Sequence, residues 1–149
     1  MIQKYLVKKL SNFSEIAGNL VRDIKYPCVI LLSGDLGVGK TTLTQAIAKK
    51  LKISQTVNSP TFVIFKQYNI DEKHNLVHYD FYRLQTMEDL QEIGFWETTE
   101  NNLVIIEWPN KISEFKKSLN TNYKYQIIKI NLKHQKNINE REIIVSYEK

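Results

Sequence analysis

The feature that most constrains the fold is residues 34–41, Gly-Asp-Leu-Gly-Val-Gly-Lys-Thr, which directly follow an apolar run at 28–32. Their spacing matches the pattern G-x-x-x-x-G-K-[ST] of a phosphate-binding loop. Three of the chain's five glycines lie here, and glycine lets a backbone take positive φ angles and approach an anion closely. Apolar residues then recur at helical spacing from 43 to 51. The sequence therefore predicts a strand, a phosphate-binding loop, and a helix whose N-terminus attracts the same phosphates.

This loop predicts a site for a nucleoside triphosphate and Mg²⁺. Lys40 is expected to contact the β- and γ-phosphates, and the Thr41 hydroxyl is expected to bind the magnesium ion. The residues of this segment predicted to bind the nucleotide are Asp35, Leu36, Gly37, Val38, Gly39, Lys40, Thr41 and Thr42. The pattern identifies neither the base of the nucleotide nor the purpose of its hydrolysis.

The composition indicates one globular domain, 1–149. Of these residues 42% are hydrophobic and 25% are charged, which suits a single core. No apolar run is long enough to span a membrane and the N-terminus lacks a signal-peptide pattern, so we expect a cytoplasmic protein without a membrane partner. The one cysteine, Cys28, is expected to be a small core residue.

The net charge of +5 is unevenly distributed along the chain. Residues 1–110 hold equal numbers of basic and acidic residues, so the whole excess lies beyond them. Most of the basic residues are lysines, and a coding preference for lysine is a sufficient explanation of the excess, although a lysine-rich surface also attracts the phosphates of RNA. Contact with RNA stays open, and no DNA partner is expected.

Strands and helices are predicted to alternate in the middle of the chain. The strands are expected at 2–7, 27–33, 61–68, 76–81, 103–106, 123–132 and 140–147. A first helix is expected from an N-cap at Ser11 or Asn12, and a short helix from Thr86 to Gly94. The third and fourth strands should form a hairpin, and the last two a closing hairpin or an edge pair. This order predicts an α/β fold with a mostly parallel central sheet, flanking helices and antiparallel additions.

Two acidic residues stand at the ends of apolar strands, where ligands of open α/β sheets bind. Asp80 follows Leu-Val-His-Tyr, and Glu107 follows the cleaner run Leu-Val-Ile-Ile. Glu107 is therefore assigned to magnesium together with Thr41. Asp80 is assigned to the attacking water or to an outer contact of the metal. These two carboxylates and Lys40 are the predicted catalytic residues.

Other residues near these carboxylates carry weaker signals. Ser-Pro-Thr-Phe at 59–62 stands where a segment sensing the γ-phosphate is expected, but these residues alone are more typical of a proline-led strand start. His78 is more typical of a core or surface histidine than of a catalytic one. Arg83 is a candidate anion ligand or partner contact. Trp108 either packs beside the nucleotide or belongs to the core.

The order of these motifs resembles one family, the bacterial ATPases of tRNA threonylcarbamoyladenosine biosynthesis, TsaE. The motifs are Gly-Asp-Leu-Gly-Val-Gly-Lys-Thr-Thr at 34–42, Ser-Pro-Thr-Phe at 59–62, His-Tyr-Asp-Phe-Tyr-Arg-Leu at 78–84, Glu-Asp-Leu-Gln-Glu-Ile-Gly at 88–94 and Ile-Glu-Trp-Pro at 106–109. The loop alone is shared by a large superfamily, whereas the ordered set is specific to this family. Val38 stands where the family usually has alanine, and Asn110 stands where an acid is common.

The resemblance implies a P-loop ATPase, weak by itself, that acts with TsaB-like and TsaD-like partners and reaches tRNA through that complex. ATP hydrolysis would support repeated transfer of the threonylcarbamoyl group to the adenosine beside the anticodon. The resemblance further implies that residues 59–62 form a first switch and that Glu107 and Trp108 belong to a second. Glu107 would bind magnesium and Asp80 would serve hydrolysis. Asn12, at the start of the first helix, would lie on the adenine side.

Two other functions use the same loop. A small-molecule kinase would pass the γ-phosphate to a metabolite, but such enzymes usually close an arginine-rich lid, and the few arginines here are spread along the chain. A regulatory GTPase is suggested by Asn-Lys-Ile-Ser at 110–113, which lacks the aspartate that would pair with guanine. ATP is therefore expected over GTP, and the kinase is kept as the alternative.

Overall fold

The computed structural model describes residues 1–121 and 124–148. In chain order, the elements are β1 (Ile2–Val7), α1 (Leu10–Asp23), β2 (Cys28–Ser33), α2 (Lys40–Lys50), β3 (Phe65–Asn69), β4 (Asn75–Asp80), α3 (Met87–Glu92), α4 (Phe95–Thr99), β5 (Leu103–Glu107), a 3₁₀ turn (Pro109–Lys111), α5 (Phe115–Thr121), β6 (Gln126–His134) and β7 (Arg141–Tyr147). The start of the predicted strand 123–132, at residue 123, lies outside the described residues.

The strands of the described residues form one seven-stranded sheet in the order β1-β7-β6-β2-β5-β4-β3. The four middle strands, β6, β2, β5 and β4, are parallel. β1, β7 and β3 are joined to their neighbours in antiparallel pairs. The predicted α/β fold, parallel at the centre with antiparallel additions, is confirmed. Because parallel strands end at one edge, the carboxyl ends of β2, β4 and β5 meet there.

Helices cover both faces of the sheet. On one face α1 and α2 pack over a core that includes Leu20, Ile30 and Ile47, and Cys28 is buried there as predicted. On the other face α3, α4 and α5 enclose an aromatic core, whose most buried rings are Tyr79, Phe81, Phe95 and Phe115. β2 and β5 lie between the two cores, which explains their uninterrupted apolar sequences.

The first helix begins at Leu10 with Lys9 as its N-cap, so the predicted N-cap at Ser11 or Asn12 is wrong. Asn12 lies inside the first turn, where its Oδ1 accepts hydrogen bonds from the backbone N–H groups of Lys8 at 3.1 Å and Lys9 at 3.2 Å. The Asn12 side chain thus holds the backbone that leads into α1, although Asn12 itself lies inside the helix. A capping residue and this inner residue give similar sequence patterns, which accounts for the error.

Residues 59–62 do not begin a strand, because β3 starts only at Phe65. The Pro60 carbonyl accepts a hydrogen bond of 3.0 Å from the Val63 N–H, which closes a turn. Ile64 then has a φ of 70°, a left-handed conformation that a strand does not contain. The segment before β3 is therefore a turn that lies over the end of β4.

The last two strands form the predicted hairpin, but they are not an edge pair. β6 pairs in parallel with β2 in the middle of the sheet, and β1 pairs with β7 and forms the edge. The short helix after Thr86 is confirmed, with the Thr86 hydroxyl accepting from the Asp89 N–H and Gly94 following at a φ of 66°. α4 and α5 were not predicted, since elements of five and seven residues are too short to show a helical period.

Candidate functional site

The phosphate-binding loop connects the end of β2 to the start of α2. Gly34 and Gly39 have φ angles of 148° and 112°, and both positions are closely packed. A Cβ at Gly34 would lie 2.5 Å from the Leu132 carbonyl oxygen, and one at Gly39 would lie 2.8 Å from Phe13 Cζ. These two positions therefore require glycine. The loop leads directly into the N-terminus of α2 at Lys40, where free backbone N–H groups favour an anion.

Lys40 lies folded against the loop and is only 5% exposed. Its Nζ donates hydrogen bonds to the carbonyl oxygens of Gly34 at 2.8 Å and Asp35 at 2.9 Å. Nζ also lies 4.0 Å from the ring centroid of Trp108, a cation–π contact. Burial lowers the pKa of Lys40, and the nearby carboxylates, Glu107 foremost, oppose that change. A further anion beside the ammonium group would therefore offset the cost of burying its charge.

Asp80 and Glu107 are paired in register at the ends of the neighbouring parallel strands β4 and β5. Each is 4% exposed. The Thr41 hydroxyl donates a hydrogen bond of 2.9 Å to Glu107 Oε1, which joins the first turn of α2 to the end of β5. His78 Nε2 lies 2.9 Å from the same oxygen. The structure thus brings Lys40, Thr41 and both predicted carboxylates to one end of the sheet.

Asp80 is held by the turn that precedes β3. Its Oδ2 accepts a hydrogen bond of 2.8 Å from the Thr61 hydroxyl, and its Oδ1 accepts one of 2.9 Å from the Tyr82 N–H. The hydroxyls of Ser59 and Thr61 lie 2.7 Å apart. Arg83, in contrast, is exposed and places Nη1 3.4 Å from the Phe62 carbonyl oxygen.

A cavity of about 420 Å³ lies over these groups. Its lining consists of Leu36, Gly37, Gly39, Lys40, Thr41, Thr42, Ser59, Thr61, Asp80, Tyr82, Glu107 and Trp108. Trp108 has a φ of 59° and stacks edge-on to Tyr82, with ring centroids 5.2 Å apart, so it forms a wall of the cavity. Asp35 and Val38 do not line the cavity. The Asp35 carbonyl accepts a hydrogen bond from Lys40, and Val38 is fully buried.

A second cavity of about 450 Å³ lies on the other side of the loop, between the loop and the start of α1. It shares Gly37, Gly39 and Thr42 with the first cavity, and its remaining lining is Val7, Lys8, Lys9, Leu10, Phe13, Asn139 and Arg141. Asn12 does not line it, since its side chain faces the backbone of the first turn. Arg141 Nε is buried here without a hydrogen-bond partner among the described residues.

Sequence reasoning did not select Arg141 or Tyr82 as site residues. Arg141 belongs to β7, whose sequence carries no motif, and only the sheet order brings it beside the phosphate-binding loop. His78 was interpreted as an ordinary histidine, although its spacing of two from Asp80 places both side chains on one face of β4. That spacing was the available signal.

The oxygen donors of the first cavity fit Mg²⁺. This ion keeps several waters and is usually bound by one or two carboxylates together with substrate phosphates. The Thr41 hydroxyl and the Glu107 carboxylate are donors of that kind, with Asp80 beside them. In residues 1–121 and 124–148 no group of three or more His, Cys, Asp or Glu side chains is arranged to hold a metal ion. With Thr41 and Glu107 as ligands, the remaining positions around Mg²⁺ would belong to water and to phosphate oxygens.

The glycine loop between β2 and α2, together with acidic residues at the ends of β4 and β5, defines the P-loop NTPase class of fold. The family model described as "Threonylcarbamoyl adenosine biosynthesis protein TsaE" matches residues 7–143. The chain therefore belongs to the TsaE family, as its motifs predicted, and to tRNA threonylcarbamoyladenosine biosynthesis.

Known relatives agree with this assignment. A protein of Rickettsia prowazekii (strain Madrid E), named tRNA threonylcarbamoyladenosine biosynthesis protein TsaE, is 37% identical over 127 residues, which cover 85% of this chain and 81% of the relative. A Bacillus subtilis (strain 168) protein of the same name is 42% identical over 87 residues, covering 58% of this chain and 53% of the relative. The crystal structure of Bacillus subtilis YdiB superposes with a TM-score of 0.73 at 26% identity, covering 99% of this chain and 86% of that one.

The helices give no sign of a membrane-spanning segment. Within the described part of the chain, none combines the length and the apolar character needed to cross a bilayer.

Proposed function

We propose that this chain is a Mg²⁺-dependent ATPase that supports repeated threonylcarbamoylation of the adenosine beside the tRNA anticodon. In this proposal it acts in the cytoplasm with TsaB-like and TsaD-like partners and reaches tRNA through their complex. The observation that carries the proposal is the hydrogen bond of 2.9 Å from the Thr41 hydroxyl to Glu107 Oε1. It joins the loop threonine to a strand-end carboxylate, the pair that P-loop NTPases use around their metal ion.

The loop and Lys40 would bind the phosphates of ATP. The N–H groups at the start of α2 point toward that position, and the helix dipole favours negative charge there. Lys40 Nζ now rests on two carbonyl oxygens, and phosphate oxygens would be stronger partners for its charge. Thr41 and Glu107 would hold Mg²⁺, which when bound neutralises charge on the β- and γ-phosphates.

Asp80 would orient the attacking water. Both of its oxygens accept hydrogen bonds within the protein, so the carboxylate is fixed in place in the wall of the cavity. A fixed carboxylate can accept a hydrogen bond from water and align it with a phosphate. Trp108 and Tyr82 would exclude other water from that side of the cavity.

The second cavity would receive the base and ribose, since it continues from the first along Gly37, Gly39 and Thr42. Phe13 offers an apolar surface there and Arg141 offers a buried donor. Hydrolysis is favoured over transfer to a metabolite, because neither Arg22 nor Arg83 lines the first cavity, as the lid arginines of a kinase would.

The test is tRNA threonylcarbamoylation by purified TsaB-like and TsaD-like partners from the same organism, supplied with threonylcarbamoyl-adenylate and ATP. Wild type should raise the product beyond one turnover per complex, whereas Lys40→Ala should not. Lys49→Ala is the matched control, because Lys49 is an exposed lysine in the last turn of the same helix. If wild type leaves the yield unchanged, the proposed function is wrong, and a screen of metabolites as phosphate acceptors tests the kinase.

A further inference from the structure

His78 lies in β4, two residues before Asp80, and is completely buried. Side chains alternate along a strand, so His78 and Asp80 face the same side of the sheet as Glu107 on the paired strand β5. His78 Nε2 lies 2.9 Å from Glu107 Oε1, the oxygen that also accepts the Thr41 hydroxyl. A carboxylate oxygen accepts hydrogen bonds, so the contact is a hydrogen bond in the tautomer that carries the proton on Nε2.

Packing alone does not explain why residue 78 is a histidine. On this face of the sheet its neighbours are the buried apolar residues Leu76 and Ile105, and Ile105 is its partner in the β4–β5 register. The other ring nitrogen, Nδ1, is buried and has no hydrogen-bond partner among the described residues. An apolar side chain would fill the space without leaving a buried nitrogen unpaired. The hydrogen bond to Glu107 is thus the contribution that an apolar residue could not make.

We propose that His78 is a positioning residue that orients the Glu107 carboxylate for Mg²⁺. Its Nε2–H fixes Oε1 from the strand side while the Thr41 hydroxyl fixes it from the helix side. With one oxygen held by two donors, the orientation of the second oxygen is also set. Carboxylates that bind metals commonly depend on such outer hydrogen bonds, whose loss lowers metal affinity about 10- to 100-fold. The inference rests on the proposed nucleotide and magnesium function.

The test measures how strongly Mg²⁺ tightens ADP binding, by titration calorimetry with and without the ion. His78→Leu removes the donor and is expected to reduce this coupling about tenfold or more. His78→Gln keeps an N–H at a similar distance and should retain most of the coupling. Ile105→Val, which trims the partner residue in the register without touching Glu107, is the packing control and should match wild type. Melting temperatures verify that each variant is folded.

Two further comparisons separate positioning from a structural role. In a Glu107→Gln background, His78→Leu should change the coupling less than twofold, because the residue acts through Glu107. His78→Phe, which fills the plane of the ring, replaces His78→Leu if that variant does not fold. Wild-type coupling in a folded His78→Leu or His78→Phe overturns the inference. If wild type itself binds no ADP, or binds it without regard to Mg²⁺, the proposed function is what fails.

Discussion

The Thr61 hydroxyl donates a hydrogen bond of 2.8 Å to Asp80 Oδ2, which ties the turn at 59–62 to the end of β4. The Tyr82 N–H holds the other oxygen at 2.9 Å. One carboxylate oxygen is therefore fixed by the strand end and the other by the turn. A displacement of this turn therefore either breaks the hydrogen bond to Asp80, the proposed water-orienting residue, or moves the Asp80 carboxylate with the turn.

Thr61→Val should slow ATP hydrolysis while leaving ATP binding nearly unchanged. The substitution keeps the shape of the side chain and removes one donor to a charged group, which corresponds to a loss of about tenfold or more in rate. The measurement is the steady-state rate in the partner complex, with the ATP dissociation constant measured in parallel. Thr56→Val is the matched control, because Thr56 is an exposed threonine that lines neither cavity. An undiminished rate in Thr61→Val would show that this hydrogen bond does not serve hydrolysis.

Glu107→Ala should weaken Mg²⁺-dependent hydrolysis more than it weakens nucleotide binding. The phosphates contact mainly the loop and Lys40 in the proposed site, whereas Glu107 contacts the Thr41 hydroxyl beside the metal. The loss of an outer partner of a metal ligand already costs about 10- to 100-fold, so removal of the ligand itself should cost on the order of a hundredfold in rate or more. Rates measured across a range of Mg²⁺ concentrations should show that more of the ion is needed. Glu100→Ala, at an exposed position, should behave like wild type, and normal activity in Glu107→Ala would refute the metal assignment.

Local sequence predicted the centre of this site because each part carries its own signal. The glycine loop has a fixed spacing, and Asp80 and Glu107 each terminate an apolar run. The carboxylates meet only if the two runs form neighbouring parallel strands. β4 and β5 are such strands, and their register pairs Asp80 with Glu107. The predicted meeting of the two carboxylates is found because each stands at the end of a strand, and those strands are parallel neighbours.

The rest of the site depends on contacts between distant segments. Arg141 reaches the loop only because β7 lies inside the sheet and not at its edge, and no local pattern specifies that order. The turn at 59–62 has a sequence that also suits a strand start, and its hydrogen bond to Asp80 comes from tertiary packing. That His78 Nδ1 is buried without a hydrogen-bond partner among the described residues is likewise visible only in the folded protein.

Two glycine substitutions should have opposite effects on stability. Gly39→Ala would bring a Cβ within 2.8 Å of Phe13 Cζ at a φ of 112°, so it should destabilise the fold by about 1–3 kcal/mol. Gly18→Ala lies within α1, where the new Cβ would make ordinary contact at 3.6 Å with Lys50 Cε. It should stabilise the fold by about 0.5–1 kcal/mol, because alanine favours a helix interior. Urea denaturation measures both, and a Gly39→Ala protein as stable as wild type would contradict this interpretation of the loop.

The stability of the protein should fall with rising pH through the buried Cys28 thiol. Burial raises its pKa to about 12, whereas a thiol in the unfolded chain ionises near a pKa of about 8.5. Between these values the unfolded state binds fewer protons, so the free energy of unfolding decreases as pH rises, by about 2 kcal/mol at pH 10 relative to pH 7. Cys28→Ala should lack this part of the decrease. Urea denaturation at both pH values compares the two proteins, and an identical decrease would contradict the prediction.

Arg141→Met should weaken ATP binding through the side of the loop that faces α1. Arg141 Nε is buried beside Gly39 and Phe13 and has no hydrogen-bond partner among the described residues, so a bound nucleotide would supply an acceptor for it. A hydrogen bond from a charged group corresponds to a loss of about tenfold or more in affinity. Titration calorimetry measures the dissociation constant, with Arg22→Met as the control, because Arg22 is an exposed arginine in the last turn of α1. Equal affinities in both variants would mean that the guanidinium only packs against the loop, whereas a selective loss in Arg141→Met would identify β7 as part of the nucleotide site.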